Sequence, residues 1–288
     1  QGKKMNQQKQ TLKYFKANAE NWNQKATDAD YSIIDNRHNA VLEVMKAYPK
    51  NSSILDVGCG TGQLAIEAYQ MGWQSVGLDF SEEMIDICIQ NNLSQNAKAD
   101  FICSSIFEGS LNENSFDVVS AQGFIEYISL DQLSEFLKLT HSYLKTNGAI
   151  ALGSRNRLFN LHSLNSFTEL ELSLDTINAL SKEGIILQSS NSQEEAIEKL
   201  SQLNFEYVQP SEHPLTEVKV DKRYQFSPSD LIAKLNNHNF NVTKIYPVHF
   251  HPFPVSMVGD LHSEIHKQLA KLASSDWISN YKLVPYSS

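Results

Sequence analysis

From residue 53 to residue 154 two hydrophobic rhythms take turns along the chain. Short apolar runs at 53–57, 74–78, 99–103, 116–120 and 148–153 have the length and content of strands buried on both faces. Between them apolar residues recur at helical spacing. Leu64, Ala65, Ala68 and Tyr69 follow the first run, and Met84, Ile85, Cys88 and Ile89 follow the second. Leu133, Phe136, Leu137, Thr140 and Leu144 stripe a helix from about Asp131 to Lys145. The ends of these helices are marked. Ser81 stands ahead of Glu82 and Glu83, Ser129 and Gln132 make a capping box, and Asn147-Gly148 is a stop signal. Such alternation predicts an α/β fold, a doubly wound, mostly parallel sheet covered by helices, with ligands at the carboxyl ends of its strands.

The flanks read differently. Residues 3–50 are helical, with Ala40, Val41, Val44, Met45 and Tyr48 on one face and Pro49 as a stop. After the core of 51–154, residues 155–226 are rich in Asn, Ser and Glu. Their helical pieces are short, one opened by a Ser192–Glu195 capping box ahead of Ala196, Ile197 and Leu200. This segment is expected to be an inserted helical cap over a substrate pocket, less stable locally than the sheet. Residues 227–288 return to the core. Ser227-Pro228-Ser229-Asp230 opens a helix, Phe240 to Tyr246 alternates as a strand, and Val258, Leu261, Ile265, Leu269 and Leu272 line a last helix. Only Tyr281 to Tyr286 remains for a closing edge strand.

Composition narrows the class. The 288 residues carry a formal charge of −9, with no cluster of Lys and Arg interleaved with aromatics, so no nucleic-acid partner is expected. No apolar run approaches the length of a membrane span and no leader precedes the first helix, which predicts a cytoplasmic protein. Cys59, Cys88 and Cys103 lack metal-ligand spacing and read as reduced, buried residues; no metal is expected.

The chemistry concentrates in Ile54-Leu55-Asp56-Val57-Gly58-Cys59-Gly60-Thr61-Gly62, a strand that runs into alternate glycines and opens a helix. Glycines there let the backbone turn sharply and approach a ligand closely. The next strand ends in Asp79, where a carboxylate can accept both hydroxyls of a ribose. The Gly-x-Gly-x-Gly spacing with Asp56 ahead of it resembles motif I of class I S-adenosylmethionine-dependent methyltransferases. Asp79-Phe80-Ser81-Glu82-Glu83-Met84 resembles the family's D-x-S-x-x-M signature, which implies that Phe80 and Met84 flank the adenine. Phe116-Asp117-Val118-Val119-Ser120-Ala121-Gln122-Gly123-Phe124-Ile125-Glu126 is similar to the fourth strand and loop of quinone-biosynthesis-like members, with Tyr127 where they carry His. Tyr14 to Trp22 resembles their N-terminal Y-F-x-x-x-A-x-x-W segment.

The resemblance implies S-adenosylmethionine as cofactor, leaving S-adenosylhomocysteine. The implied contacts are Asp56, Gly58, Cys59, Gly60, Gly62, Asp79, Phe80 and Met84, then Ser104, Ser105 and Ile106 in place of the family's G-D-A, and Ala121 and Gln122. Tyr14 and Trp22 are candidates for a cover over the cofactor or for aromatic anchors of the first helix. Arg37 is read as a partner for the cofactor carboxylate or as a solvated helix residue. Arg155 and Arg157 follow the fifth strand, where an arginine fork can bind an anion or pair with acids of the cap. The expected reaction is methylation of a small molecule, at a hydroxyl oxygen, for which His162, His213, His249 and Glu126 are candidate bases. A protein or RNA methyltransferase is one rival and a non-catalytic cofactor-binding protein another. A homodimer is the assembly to test for.

Overall fold

A computed structural model describes residues 2–27, 32–109, 111–210, 213–214, 220, 222–255, 265, 268–269 and 282–288. The chain divides into two compact units, Gln1–Ser154 with Glu217–Lys222, and Arg155–Thr216 with Arg223–Ser288.

The first unit begins with helices α1 (Gly2–Thr27) and α2 (Ser32–Met45). Then β1 (Ser53–Val57), α3 (Gln63–Gln70), β2 (Gln74–Asp79), α4 (Glu82–Ser94), β3 (Asp100–Cys103), β4 (Phe116–Gln122), α5 (Leu130–Tyr143) and β5 (Leu144–Gly153) follow. The five strands form a parallel sheet in the order β3-β2-β1-β4-β5. Strand order reverses between β1 and β4, so connections leave in opposite directions and open a crevice at their carboxyl ends. β1 is buried at every residue, and Val41 and Met45 of α2 join Ile54, Leu64, Ala68, Trp73, Val118 and Ala151 in the core beneath it. The predicted caps form. Ser81 accepts from the Met84 amide, and Ser129 and Gln132 close their box at the start of α5.

Three local expectations are corrected. The helix ends at Tyr143, and β5 starts at Leu144. Asn147 takes a left-handed φ of 64° inside the strand, where the pairing with β4 shifts register between Phe116 and Val118. At Gly148 a β-carbon would lie 2.9 Å from the Lys145 carbonyl, so the residues read as a stop serve a strand irregularity instead. Ile89 is exposed, the buried side of α4 being Met84, Ile85 and Cys88. Cys103 is exposed at the end of β3.

α1 is tied to both sides of the sheet's carboxyl edge. Phe15 meets Tyr127, beyond β4, edge-on at 5.4 Å, and Gln7 Nε2 donates to the Tyr127 carbonyl. On the β2 side Lys16 lies 3.4 Å from Glu83, and Asn91 of α4 donates both to Asn23 (3.2 Å) and to the Thr61 carbonyl in the glycine turn (3.0 Å). No helix among the described residues is long and apolar enough to cross a membrane.

The second unit is helical: α6 (Asn160–Ser163), α7 (Ser166–Ser173), α8 (Ile177–Ser189), α9 (Gln193–Ser201) and α10 (Pro228–Asn236). Leu158, Leu180, Leu187, Ala196, Leu200, Ile232 and Leu283 form a core of its own. Ser192 caps α9, but Glu195 reaches back to the Asn191 amide, not to Ser192, so the predicted box is half made. Ser227 caps α10 as its sequence signals. The strand expected over residues 240–246 is absent. Gln193 brackets Ile245 with two hydrogen bonds (2.9 and 3.1 Å), supplying what a neighbouring strand would, while Val242 and Ile245 pack on the helical core. Residues 282–286 make no edge strand either. Leu283 enters the core, Tyr286 makes one isolated bridge with Phe250, and Asn156 holds both their carbonyls. Val258, Leu261 and Leu272 of the expected last helix, like Tyr281, lie outside the described residues.

Candidate functional site

The glycine turn after β1 adopts left-handed φ at all three glycines, 69° at Gly58, 55° at Gly60 and 86° at Gly62, but for different reasons. A β-carbon on Gly62 would lie 2.9 Å from Phe101 and 3.0 Å from Cys88 Sγ, and one on Gly58 would lie 3.2 Å from Phe124. These two let protein pack on protein. At Gly60 a β-carbon would meet nothing within 4 Å, so this glycine faces open space. The turn is held from behind. Leu78 O accepts from the Gly58 and Cys59 amides, and Cys88 Sγ donates to Gly60 O at 3.1 Å. Cys59 points its thiol inward, 4.0 Å from Cys88, and that contact and burial raise its pKa well above the ordinary thiol range.

Asp79 stands beside the open face. Its Oδ2 accepts the Gly60 amide (3.1 Å) and its Oδ1 the Ser81 amide (2.9 Å). Burial outweighs these donors and lifts its pKa to about 6. Asp56, buried in β1, is raised to about 7, mainly by burial; the nearby Asp79 charge adds to this and Ser120 opposes it. Met84 is buried, and Phe80 is half-buried at the start of the α4 turn. The Ser105 hydroxyl accepts from Phe107 N, capping a 3₁₀ turn at Ile106–Glu108, and Ser104 donates to Glu108 at 2.6 Å. Ala121 is fully buried, and Gln122 donates to Ala151 O at 2.9 Å with its amide lying across Gly153.

The loop beyond β4 gathers residues from three elements. Phe124 stacks between Gly58 and Phe136 of α5. Tyr127 packs with Tyr14, Phe15 and Val220, while Phe15 also meets Trp22 at 5.9 Å. This joins Tyr14 and Trp22 to the aromatic cluster under α1. Arg37 of α2 pairs with Glu126 at 3.9 Å, and Glu126 is fully buried. The neighbouring His38 is lowered to about 4 by burial and by Arg37, so it is neutral at pH 7. Gly123, Phe124, Asn91 and His38 carry no spacing signal in the sequence, because their importance comes from contacts between distant elements.

In the second unit His162 Nε2 donates to the His251 carbonyl (2.9 Å). The His249 ring meets the His251 ring edge-on at 4.4 Å, with Phe159 4.5 Å from the latter. His249 holds a left-handed φ of 62°, a conformation that histidine enters more often than most non-glycine residues. Two of the three histidine candidates thus share one cluster; His213 bonds the Pro214 carbonyl on a separate segment. Arg157 is 2 % exposed, with Glu171 taking its Nε and Nη2 (both 2.9 Å) and Tyr207 stacked on its guanidinium. It answers the expectation of pairing within its own unit. Arg155 lies over the Phe167 ring at 5.1 Å.

Comparison with known proteins adds to this geometry. Residues 54–148 match a family model described as a methyltransferase domain. A ubiquinone biosynthesis O-methyltransferase of Rickettsia bellii is 27% identical over 156 residues, covering 52% of this chain and 63% of that protein. A protein-lysine N-methyltransferase of Saccharomyces cerevisiae is 26% identical over 147 residues, covering 45% of this chain and 62% of that protein. The chain therefore spans less than two thirds of the length of these relatives. A crystal structure of a SAM-dependent methyltransferase from Methanosarcina mazei shares the fold with a TM-score of 0.52 at 18% identity, covering 72% of this chain and 89% of that one.

Proposed function

From a first unit whose residues 54–148 form a class I methyltransferase domain, we propose that the protein transfers a methyl group from S-adenosylmethionine to a small-molecule acceptor, at a hydroxyl oxygen. The observation that carries this reading is Gly60, whose open face lies beside Asp79 at the crevice between β1 and β4. That cradle fits an adenosine with an amino-acid tail. Asp79 takes the ribose hydroxyls, Gly60 gives the tail close approach to the backbone, and Phe80 and Met84 lie near the base. Arg37 takes the tail's carboxylate. Bound there, the sulfonium supplies an activated methyl group. The chain contributes orientation, exclusion of water and a proton acceptor. We assign the reaction to the cytoplasm, where an exposed Cys103 thiol stays reduced.

Labelled S-adenosylmethionine incubated with the protein and either a metabolite extract or a protein extract tests the reading. Label in small molecules supports it. Label only in protein favours a lysine acceptor, the activity in the name of the yeast relative, and no transfer at all leaves a binding protein. Glu126 is paired and fully buried, so the base falls to the histidines. Alanine at His162 or His249 should keep cofactor affinity and lower turnover about 10²–10⁴-fold. Full turnover in both variants, and in His213→Ala, would leave orientation alone as the source of rate.

Cofactor affinity should also depend on pH. With a pKa of about 6, Asp79 is mostly protonated at pH 5 and ionised at pH 7. The carboxylate is the better acceptor for ribose hydroxyls, so calorimetric affinity should rise about tenfold over that interval and then level. The unloaded fold should respond in the opposite sense. An unfolded Asp ionises near 3.8, so stability falls as pH climbs from about 4 through 6 and the buried carboxyl gives up its proton. Asp79→Asn should flatten the affinity profile and remove only its own share of the stability loss, since Asp56, raised to about 7, keeps the rest; an unaltered affinity profile would remove the ribose assignment.

A further inference from the structure

Glu126 falls outside the chemistry just described, yet it is a fully buried carboxylate facing the one arginine assigned to the cofactor. Its surroundings explain why. Gly123 ends β4 with a left-handed φ of 69° and binds its amide to the Gly153 carbonyl, which fixes the backbone at the carboxyl edge of the sheet. A β-carbon at this glycine would lie 2.7 Å from Arg37 Nη1 and 3.5 Å from Glu126 Oε1. The guanidinium therefore rests directly against the Gly123 backbone, in space that any other residue would fill. Glu126 Oε1 sits 3.9 Å from Nη2 on the same group. Arg37 is thus bounded by a bare backbone and a buried carboxylate. His38 beside it is neutral, so it adds no charge to the Arg37–Glu126 pair.

We propose that Glu126 and Gly123 are positioning residues, which preset the Arg37 guanidinium to receive the carboxylate of the cofactor's amino-acid portion; this rests on the cofactor assignment above. An arginine left without such supports samples many rotamers and must be ordered again each time an anion binds. A guanidinium held on two sides keeps its planar fork in one orientation, the geometry that carboxylates take best. Glu126 lowers the positive potential at this corner, so its removal has two opposed effects. Ordering dominates, because Gly123 leaves the guanidinium one tight seat and Glu126 is one of the groups that hold it there.

The test compares two ligands by calorimetry. S-adenosylhomocysteine carries the amino-acid portion, and 5′-methylthioadenosine carries the same nucleoside without it. Arg37→Met should weaken the first at least tenfold and leave the second unchanged. Glu126→Gln, nearly identical in shape, should weaken S-adenosylhomocysteine about tenfold, with methylthioadenosine binding unchanged as the measure of an intact fold. In an Arg37→Met background Glu126→Gln should have no further effect, since its action runs through the arginine. Gly123→Ala provides a second route, because its methyl pushes on Nη1 and should give the same selective loss. Equal weakening of both ligands, tighter binding in Glu126→Gln, or an undiminished effect of Glu126→Gln without Arg37 would each overturn the proposal. Failure of the native protein to bind either ligand would instead remove the cofactor assignment, and this inference with it.

Discussion

Gly60→Asn should abolish S-adenosylmethionine binding while leaving the fold intact. Asparagine tolerates the left-handed backbone that Gly60 adopts at a φ of 55°. Its side chain enters space where a β-carbon meets nothing within 4 Å, so the unloaded protein has nothing to displace. The ligand does, and an obstruction of this size at a close backbone approach costs roughly 10²-fold or more. Gly62→Ala should fail in the other way. Its methyl would lie 2.9 Å from Phe101 and 3.0 Å from Cys88 Sγ, an overpacked contact worth about 1–3 kcal/mol of stability. Thermal melts with and without cofactor separate the two. If Gly60→Asn binds as the native chain does, the open face of the turn is not where the cofactor lies.

In the second unit the largest effect should come from Glu171→Ala. Arg157 is buried with Glu171 across its guanidinium, and Glu171 also accepts from Asn160 (2.7 Å) and from Thr176. Gln225 joins through Asn160 at 2.8 Å. Removing the acid strands a buried cation and two polar side chains, which costs about 3–5 kcal/mol. Replacing both partners, Arg157→Met with Glu171→Leu, should restore most of that loss, because no charge is then left in the core. Urea denaturation followed by a probe within residues 155–210 measures it. A single Glu171→Ala variant as stable as the native chain would mean that water reaches the pair. The same network explains why Arg157 is no anion receptor: its donors face Glu171 and the Val208 carbonyl.

The sequence alone determined the features that depend on neighbours a few residues apart. Five strands were legible as short apolar runs, and each lies where its run predicts, with β5 lengthened at its start. The serine caps of α4, α5 and α10, the glycine turn and the acid at the end of β2 were legible too, since spacing and backbone preference act locally. Tertiary structure decided what depends on burial and on distant partners. Residues 240–246 alternate like a strand, yet Gln193 meets their hydrogen bonds and the helical core takes their apolar side chains, so no strand pairs there. Glu126 is one of four candidate bases by sequence, and only the fold sets it, buried, beside Arg37; for Arg157 the sequence leaves open an anion or an acid of its own segment, and Glu171 closing around it decides for the acid. Two of the three histidine candidates met around His251, which no spacing rule selects. Of three glycines at identical spacing, the fold alone marks Gly60 as the one that opens outward, because a periodic pattern records which residues turn and not what stands opposite them.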